Sequence, residues 1–454
     1  MPYTQDSADI ELHLLDAGRL DAYLQTTPAL QRQWIERHNF RPESGQHLAV
    51  PDENGNIARI IVGYDPKQPL TALAHLPAVL PPENYRLAGD FDAATELLLL
   101  LGWGLGSYRY GRYRTRSAYG AKLYLPESHG AEVTAQLEAT NLVRDLVNTP
   151  PWDMGPEEIA NAAKDLADRC GASYDVISGE QLRNEYPAIH AVGMGSVREP
   201  RLITLRWGDK NHPKVCLVGK GVAFDTGGLN MKSGTRMLRM KKDMGGAAHV
   251  LGLAQLIIQR QLPLQLVVMI PAVENMVSGH CYRPGDVVHT RRGLTVEITN
   301  TDAEGRVILS DALQRANEEQ PEVIIDFATL TGAARVAMGP DVPPVFSNDE
   351  ELAVSLRPLS RQHADPLWPM PLVPGYERFL ESEIADLSNC PPTSFAGAIN
   401  AAIFLNHFAD SNIPWLHLDV YAWNDGQRPG RPNGGEAQGL RAIYYWLRQR
   451  FQID

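Results

Sequence analysis

From about residue 150 onward the chain alternates short, continuous apolar runs with stretches of helical periodicity. Lys214 to Gly219 (KVCLVG), Leu266 to Pro271 (LVVMIP), Val323 to Phe327 (VIIDF) and Trp415 to Val420 (WLHLDV) each read as a strand apolar on both faces. Gly246 to Arg260 reads as a helix, Thr295 to Thr299 as a further strand, and a helix is expected to begin near Arg306. Strands of this kind separated by helices predict an α/β domain whose central sheet is covered on both faces, with function at the carboxyl ends of the strands. The first section is more weakly patterned. His47 to Tyr64 alternates around Asn54-Gly55-Asn56 and predicts a hairpin, and the leucine run Phe91 to Leu101 predicts a helix ending at Gly102. Thr134 to Asn148 fits one helix that Thr149-Pro150-Pro151 terminates, and the domain junction is placed on it. The expected domains are therefore 1–130, a linker helix over 131–150, and 151–454.

Composition narrows the class. The chain has 454 residues, of which 44% are apolar and 21% charged, which supplies ample core and excludes wholesale disorder. Its four cysteines are scattered without a CxxC spacing, which argues against a disulfide scaffold or a cysteine-built zinc site and favours a reducing compartment. The net charge of −12 has the wrong sign for a protein that mainly neutralises nucleic-acid phosphates. The start, MPYTQDSADIELHLLDAG, has acids where a secretory signal would be basic and then apolar, and no apolar run reaches the roughly 18 residues of a membrane span. A cytoplasmic protein with no membrane partner is expected. Tyr108 to Arg116 interleaves Arg with Tyr; contact with nucleic acid is weighed there against a surface or subunit contact, and the latter is preferred.

Several catalytic patterns are missing: no HExxH, no GxSxG elbow and no GxxxxGK[ST], since Lys220 is followed by Gly221. What remains is a set of acids and lysines at strand ends. Lys220 and Asp225 leave a buried strand among glycines, and a lysine in that position is costly unless it is paired or used. Lys232 follows, then Asp243 immediately before a helix, where an N-cap role competes with a functional one. Asp302 and Glu304 share the short loop of NTDAEGR, close enough to repel unless a cation intervenes. Four carboxylates with no His or Cys nearby suit divalent ions bound through oxygen, and two ions fit better than one. Such ions would polarise a carbonyl and activate water, with Lys232 and Arg306 placed to stabilise an oxyanion.

At these residues the sequence resembles the leucine aminopeptidase (cytosol aminopeptidase) family of dinuclear metallopeptidases. The resemblance rests on VGKGVAFDTGG, MKKDMGGAA, ENMVSGHCYRPGDVV, NTDAEGRVILSDAL, ATLTGA and HLDV in that order, and runs from about Asn148 to the C-terminus; the section before it matches poorly. It implies that Lys220, Asp225, Asp243 and Glu304 surround one metal and that Asp225, Asp302 and Glu304 surround the other. It implies Lys232 as the group that polarises the scissile carbonyl, and Arg306 as the holder of a bicarbonate that shuttles protons. Zn2+ or Mn2+ are the expected ions, with Mg2+ and Co2+ also compatible with such donors. The implied fold is a small N-terminal α/β domain joined by a helix to a larger catalytic domain with a mixed, largely parallel twisted sheet. The implied assembly is a homohexamer, and the implied substrates are peptides.

In such a family the pocket for the substrate's first side chain is lined by positions matching Met240, Thr329, Leu330, Gly332, Tyr421 and Asn424. The chain departs from the family after HLDV, where Ala-Gly is usual and Tyr421-Ala422-Trp423-Asn424 stands instead. A Tyr in place of a small residue predicts a shallower pocket, and Asn424 a more polar one. Two other classes compete. A nucleic-acid-binding regulatory protein on the same fold is disfavoured by the complete set of candidate site residues and the acidic charge, and a phosphoesterase by the lack of a phosphate cradle.

Overall fold

The computed structural model describes residues 2–453. The chain divides into two compact units. The first runs to Glu138 and takes back the segment Asn424–Asn433; the second comprises Ala139–Trp423 and the chain from Gly434 on. The division falls inside one helix, Glu127–Asn148, which starts a full two turns before the apolar periodicity becomes visible at Thr134. Thr149 closes it, its N–H and hydroxyl both bonding the Asp145 carbonyl.

The first unit is an α/β domain. Its strands are β1 (Tyr3–Thr4), β2 (Ile10–Leu15), β3 (His47–Pro51), β4 (Ile57–Gly63), β5 (Asn84–Ala88) and β6 (Lys122–Tyr124). They pair in the order β1-β6-β5-β2-β4-β3, parallel throughout except for the β3–β4 hairpin. That hairpin is the one expected from the alternation, and Asp52 holds its turn by accepting the N–H groups of Asn54 and Asn56. The leucine run is a helix, but it does not stop at Gly102: it spans Ala93–Gly106. Gly102 and Gly106 serve close packing here, since a Cβ on either would overlap the carbonyl of Leu70 or Ala74.

The second unit holds a mixed sheet built on β7 (Ser173–Ser178), β8 (Arg201–Trp207), β9 (Lys214–Gly219), β10 (Gly221–Asp225) and β11 (Gln265–Asn275). Beyond the small strands β12 (Val287–His289) and β13 (Thr295–Glu297) it continues with β14 (Val323–Ala328), β15 (Pro344–Ser347) and β16 (Trp368–Pro369). After β17 (Leu387–Ser388), which pairs with β13, comes β18 (Trp415–Asp419). The sheet order is β16-β15-β18-β14-β9-β11-β8-β7, with β10 beside β11. The centre, β18, β14, β9, β11 and β10, is parallel; at its flanks β8 pairs antiparallel with β11, β7 with β8, and β15 with β18.

Alternation along the central strands feeds two cores. Cys216, Val218, Val267, Met269 and Ile324 join a cluster with the helices Glu304–Asn317 and Gly397–Asn406. Their neighbours Val215, Leu217 and Ile325 are as fully buried and point to the opposite face. The helix Gly245–Gln259 is buried at every residue from Gly245 to Ile258, which is why it carries no charge there. A buried polar tie locks β14 to β18: Asp326 accepts Trp415 Nε1 at 2.7 Å and pairs with His417 Nδ1 at 2.6 Å. Among the described residues no helix is long and apolar enough to cross a membrane.

Candidate active site

The parallel strands end together, and the side chains singled out in the sequence sit at those ends. Lys220 follows β9, Asp225 closes β10, Thr329 follows β14 and Asp419 closes β18. Lys220 lies in a one-residue break between β9 and β10, yet its backbone stays paired: its N–H bonds Phe327 O and its carbonyl accepts Ala247 N–H. A buried strand thus continues through a lysine without orphaning its main chain. Glu304 is the first residue of the helix Glu304–Asn317, where the helix N-terminus favours a negative charge. Asp302 is on the preceding loop. Gly305 keeps the lysine's path open, because a Cβ there would stand 2.6 Å from Lys220 Cε.

Two lysines thread the acids. Lys220 Nζ, 2% exposed as a side chain, lies 2.8 Å from Asp243 Oδ2 and 2.9 Å from Glu304 Oε1 and donates to Thr329 O at 3.0 Å. Lys232 Nζ lies 2.6 Å from Asp225 Oδ2 and also pairs with Asp302 Oδ1. Oxygens of Asp225, Asp302 and Glu304 lie within 4.8 Å of one another. Asp243 is not an N-cap: it sits in a short 3-10 turn, Met240–Met244, and its Oδ1 accepts Thr329 Oγ1 at 2.8 Å.

The electrostatics follow from this crowding. Burial, with Glu304 and Asp243 as like-charged neighbours, drives the Asp225 carboxyl well above the usual range. Burial raises Glu304 as well, against the pull of Lys220. Although burial opposes it, Asp243, Glu304 and Asp225 hold the Lys220 ammonium above its ordinary value, and Asp225 leads the groups that do the same for Lys232. Asp243 is held below the usual carboxylate range, Lys220 and Lys242 outweighing its burial. Buried carboxylates that repel one another, with Glu304 Oε2 buried and without a hydrogen-bond donor, form an oxygen donor set that divalent cations fit.

Supporting residues hold this set in place. Asn275, at the end of β11 and fully buried, donates through Nδ2 to Asp225 Oδ1 at 2.8 Å and to Thr301 O at 3.0 Å. Thr301 Oγ1 bonds Gly227 O, and Asn230 Oδ1 accepts Thr301 N–H, so the loops carrying Asp225 and Asp302 are cross-tied. Asn275 carries no charge and stands apart in sequence from the acids it supports, so only its place at the head of the NMVSG stretch marks it.

A cavity of about 400 Å³ opens beside the acids, lined among others by Lys220, Asp225, Lys232, Asp243, Asp302 and Glu304. Met240, Thr329, Leu330, Gly332 and Tyr421 line it too. Two expected residues are not in its wall. Asn424 belongs to the returning segment of the first unit, where its amide bonds the carbonyls of Gly426, Arg431 and Pro432 and its Oδ1 accepts Arg428; its polarity is spent inside that loop. Arg306 is buried behind the acids, with one guanidinium nitrogen on Asn389 O at 2.8 Å and Nε buried without an acceptor. Lys242, Arg335 and Asp419, unmarked in the sequence reading, do line the cavity.

Comparison with known proteins agrees with this geometry. The model of the cytosol aminopeptidase family catalytic domain matches residues 141–444, and that of the M17 aminopeptidase N-terminal domain matches residues 10–126. The second match corrects the poor resemblance expected before Asn148: a weakly patterned sequence there still folds as the family's N-terminal domain. A cytosol aminopeptidase from Coxiella burnetii superposes with a TM-score of 0.97 at 47% identity, covering 99% of each chain. The bottromycin maturation enzyme BotP, solved in complex with Mn, superposes at 0.89 with 33% identity over 98% of this chain and all of that one. A probable cytosol aminopeptidase 1 from Shewanella oneidensis is 40% identical over 455 aligned residues, covering 90% of this chain and 91% of the other.

Proposed function

The chain belongs to the cytosol aminopeptidase family, a metal-dependent aminopeptidase of the leucyl-aminopeptidase type, and from that premise we propose how its residues divide the work. Lys220, Asp225, Asp243 and Glu304 would hold one divalent cation, and Asp225, Asp302 and Glu304 the other. When bound, the two ions supply Lewis acidity to the scissile carbonyl and to the attacking water. Zn2+ or Mn2+ is the expected ion, Mg2+ and Co2+ being compatible with the same donors, and the Mn complex of BotP supports Mn2+.

The observation that carries this reading is the donor set itself: four carboxylates from three separate segments converge, three of them with oxygens within 4.8 Å of one another, and among the described residues Lys220 and Lys232 make the ion pairs to them. Lys232, tethered between Asp225 and Asp302, is free to turn its ammonium toward a carbonyl oxygen once those carboxylates bind cations, and so to stabilise the oxyanion. Arg306 would hold a bicarbonate that carries the proton, since the cavity lining contains no histidine to act as base. The unpaired Nε of its buried guanidinium supports that assignment. Tyr421 lines the cavity where a small residue is usual in the family, which supports a shallower pocket for the first side chain; Asn424 is not among the lining residues.

The test is peptide hydrolysis by purified protein, stripped by chelator and reloaded with Mn2+ or Zn2+, alongside Glu304→Gln. Activity that returns with metal in the parent and not in the variant is expected; activity surviving chelation would overturn the mechanism. A cytoplasmic location and a homohexamer complete the proposal, the latter checked by light scattering.

A further inference from the structure

The acids and their two lysines occupy one side of the cavity; the side around Tyr421 carries cations that have no acid of their own. Lys242 is 6% exposed and lines the cavity. Among the described residues it has no carboxylate within ion-pair distance, and its ammonium lies 5.1 Å from the centre of the Tyr421 ring. Arg335, on the helix Gly332–Met338, also lines the cavity without an ion-pair partner, its guanidinium 4.4 Å from the same ring centre. The ring is fixed in place. Arg239 donates to its hydroxyl at 3.2 Å, and Gln438 Oε1 accepts both the Tyr421 and Ala422 N–H groups.

An acid does line this side, but it is engaged. Asp419 accepts Leu330 N–H at 3.0 Å, Thr331 N–H at 3.1 Å and Thr331 Oγ1 at 2.7 Å. The negative face of one aromatic ring attracts cations without replacing a counter-ion, so both charges remain available to a group that enters the cavity. Across the cavity, Lys220 and Lys232 offset part of the acids' charge, and divalent cations would offset the rest. The Tyr421 side therefore presents net positive charge to whatever enters.

We propose that Lys242 and Arg335, spaced by the Tyr421 ring, form a carboxylate-binding subsite that gives this enzyme a preference for peptides beginning with Glu or Asp. The proposal rests on the aminopeptidase reading above and names its substrate class. Tyr421 shortens the pocket so that a long apolar side chain loses room, while a side-chain carboxylate ends among donors. The same chemistry could come from the C-terminal carboxylate of a short peptide, and the test separates the two.

The Mn2+-loaded enzyme is assayed on 4-nitroanilides of Glu, Asp, Gln and Leu, which have no C-terminal carboxylate, and on Leu-Gly against Leu-Gly-amide. Glu is expected to exceed its isostere Gln by about tenfold or more in kcat/KM, because only the carboxylate makes charge-assisted hydrogen bonds to the two cations. That ratio is expected to fall toward one in Lys242→Met and in Arg335→Gln. Arg335 is exposed, so its variant keeps the test valid even where Lys242→Met fails to fold. A Glu/Gln ratio near one in the parent, or one unchanged in the folded variants, overturns the proposal. So does a strong preference for Leu-Gly over its amide with Glu and Gln equal, which would assign the wall to the peptide's far end. Hydrolysis of Leu and Gln without gain for Glu sinks this inference alone, whereas no hydrolysis of any substrate sinks the aminopeptidase reading with it.

Discussion

Two sides of one cavity solve the problem of buried charge in opposite ways. Lys220 is nearly as inaccessible as any residue in the chain, yet Asp243 and Glu304 at 2.8 and 2.9 Å hold it firmly protonated. Lys242, two residues past Met240 on the other side, has no such partners, and burial pushes its ammonium down to about 8. The contrast teaches that burial alone does not set a lysine's character; the presence or absence of carboxylates across a few ångströms does. It also separates two tasks. The paired side is made to hold ions, and its lysines are counterweights to acids; the unpaired side is left to meet something that arrives.

The sharpest way to break the comparison is to remove a paired cation. Lys232→Met is expected to lower kcat on the order of 10²–10³-fold, the scale for losing one preorganised oxyanion donor. Steady-state hydrolysis with metal content verified would measure it, and a change in KM alone would contradict the assigned role. Next in size is the tether: Asn275→Ala removes one of two donors on Asp225 Oδ1, leaving Gly227 N–H, and is expected to cost about 10–100-fold in metal affinity or activity, as outer partners of ligands do. Isothermal titration with Mn2+ reads it directly.

A smaller effect sharpens the paired side further. Lys220 must shed its proton to act as a ligand, and the repelling acids retain protons above the usual range, so metal binding is expected to release protons and to strengthen as pH rises. Titrations in buffers of different ionisation enthalpy count the released protons; a pH-independent affinity would argue that Lys220 stays outside the coordination shell.

The frame offers a third way to bury a base, and the most modest effect. His249 is fully buried and neutral, its Nδ1 donating to Gly245 O and its Nε2 accepting Gln438 N–H, with its pKa lowered to about 4 by burial. The folded state holds this imidazole neutral while the unfolded chain protonates it below about 6.5, so its contribution is intact above that pH. It is lost as pH falls toward 4, on the order of 3 kcal/mol at most. Urea denaturation of the metal-free protein across this window, compared with His249→Gln, would show a shallower loss in the variant.

Much of this was legible because it is local. VIIDF and WLHLDV declared themselves as central strands since a fully buried strand needs an unbroken apolar run, and NTDAEGR put Asp302 and Glu304 within three residues of each other. What stayed hidden is non-local. Lys242 and Arg335 are remote in sequence and meet only because the ends of β14 and β18 bring Tyr421 between them. The family resemblance implies Asn424 as pocket lining, but the chain leaves the second unit at that residue, and no periodicity marks the departure. A glycine's usual cost in a helix makes Gly102 resemble a stop and hides its use where two backbones touch.

The cross-tie of Asn275, Asp225 and Thr301 has a consequence in time as well as in space. It joins the ends of β10 and β11 to the loop before the helix at Glu304, elements that lie far apart along the chain. Segments fastened at a shared point tend to open together, as one cooperative unit with one opening free energy. The amide hydrogens of β10, of β11 near Asn275 and of the first turn after Glu304 should then exchange with solvent at a common rate. Metal loading should slow that rate for all three at once, so that the enzyme's catalytic readiness is written into its slowest-exchanging amides.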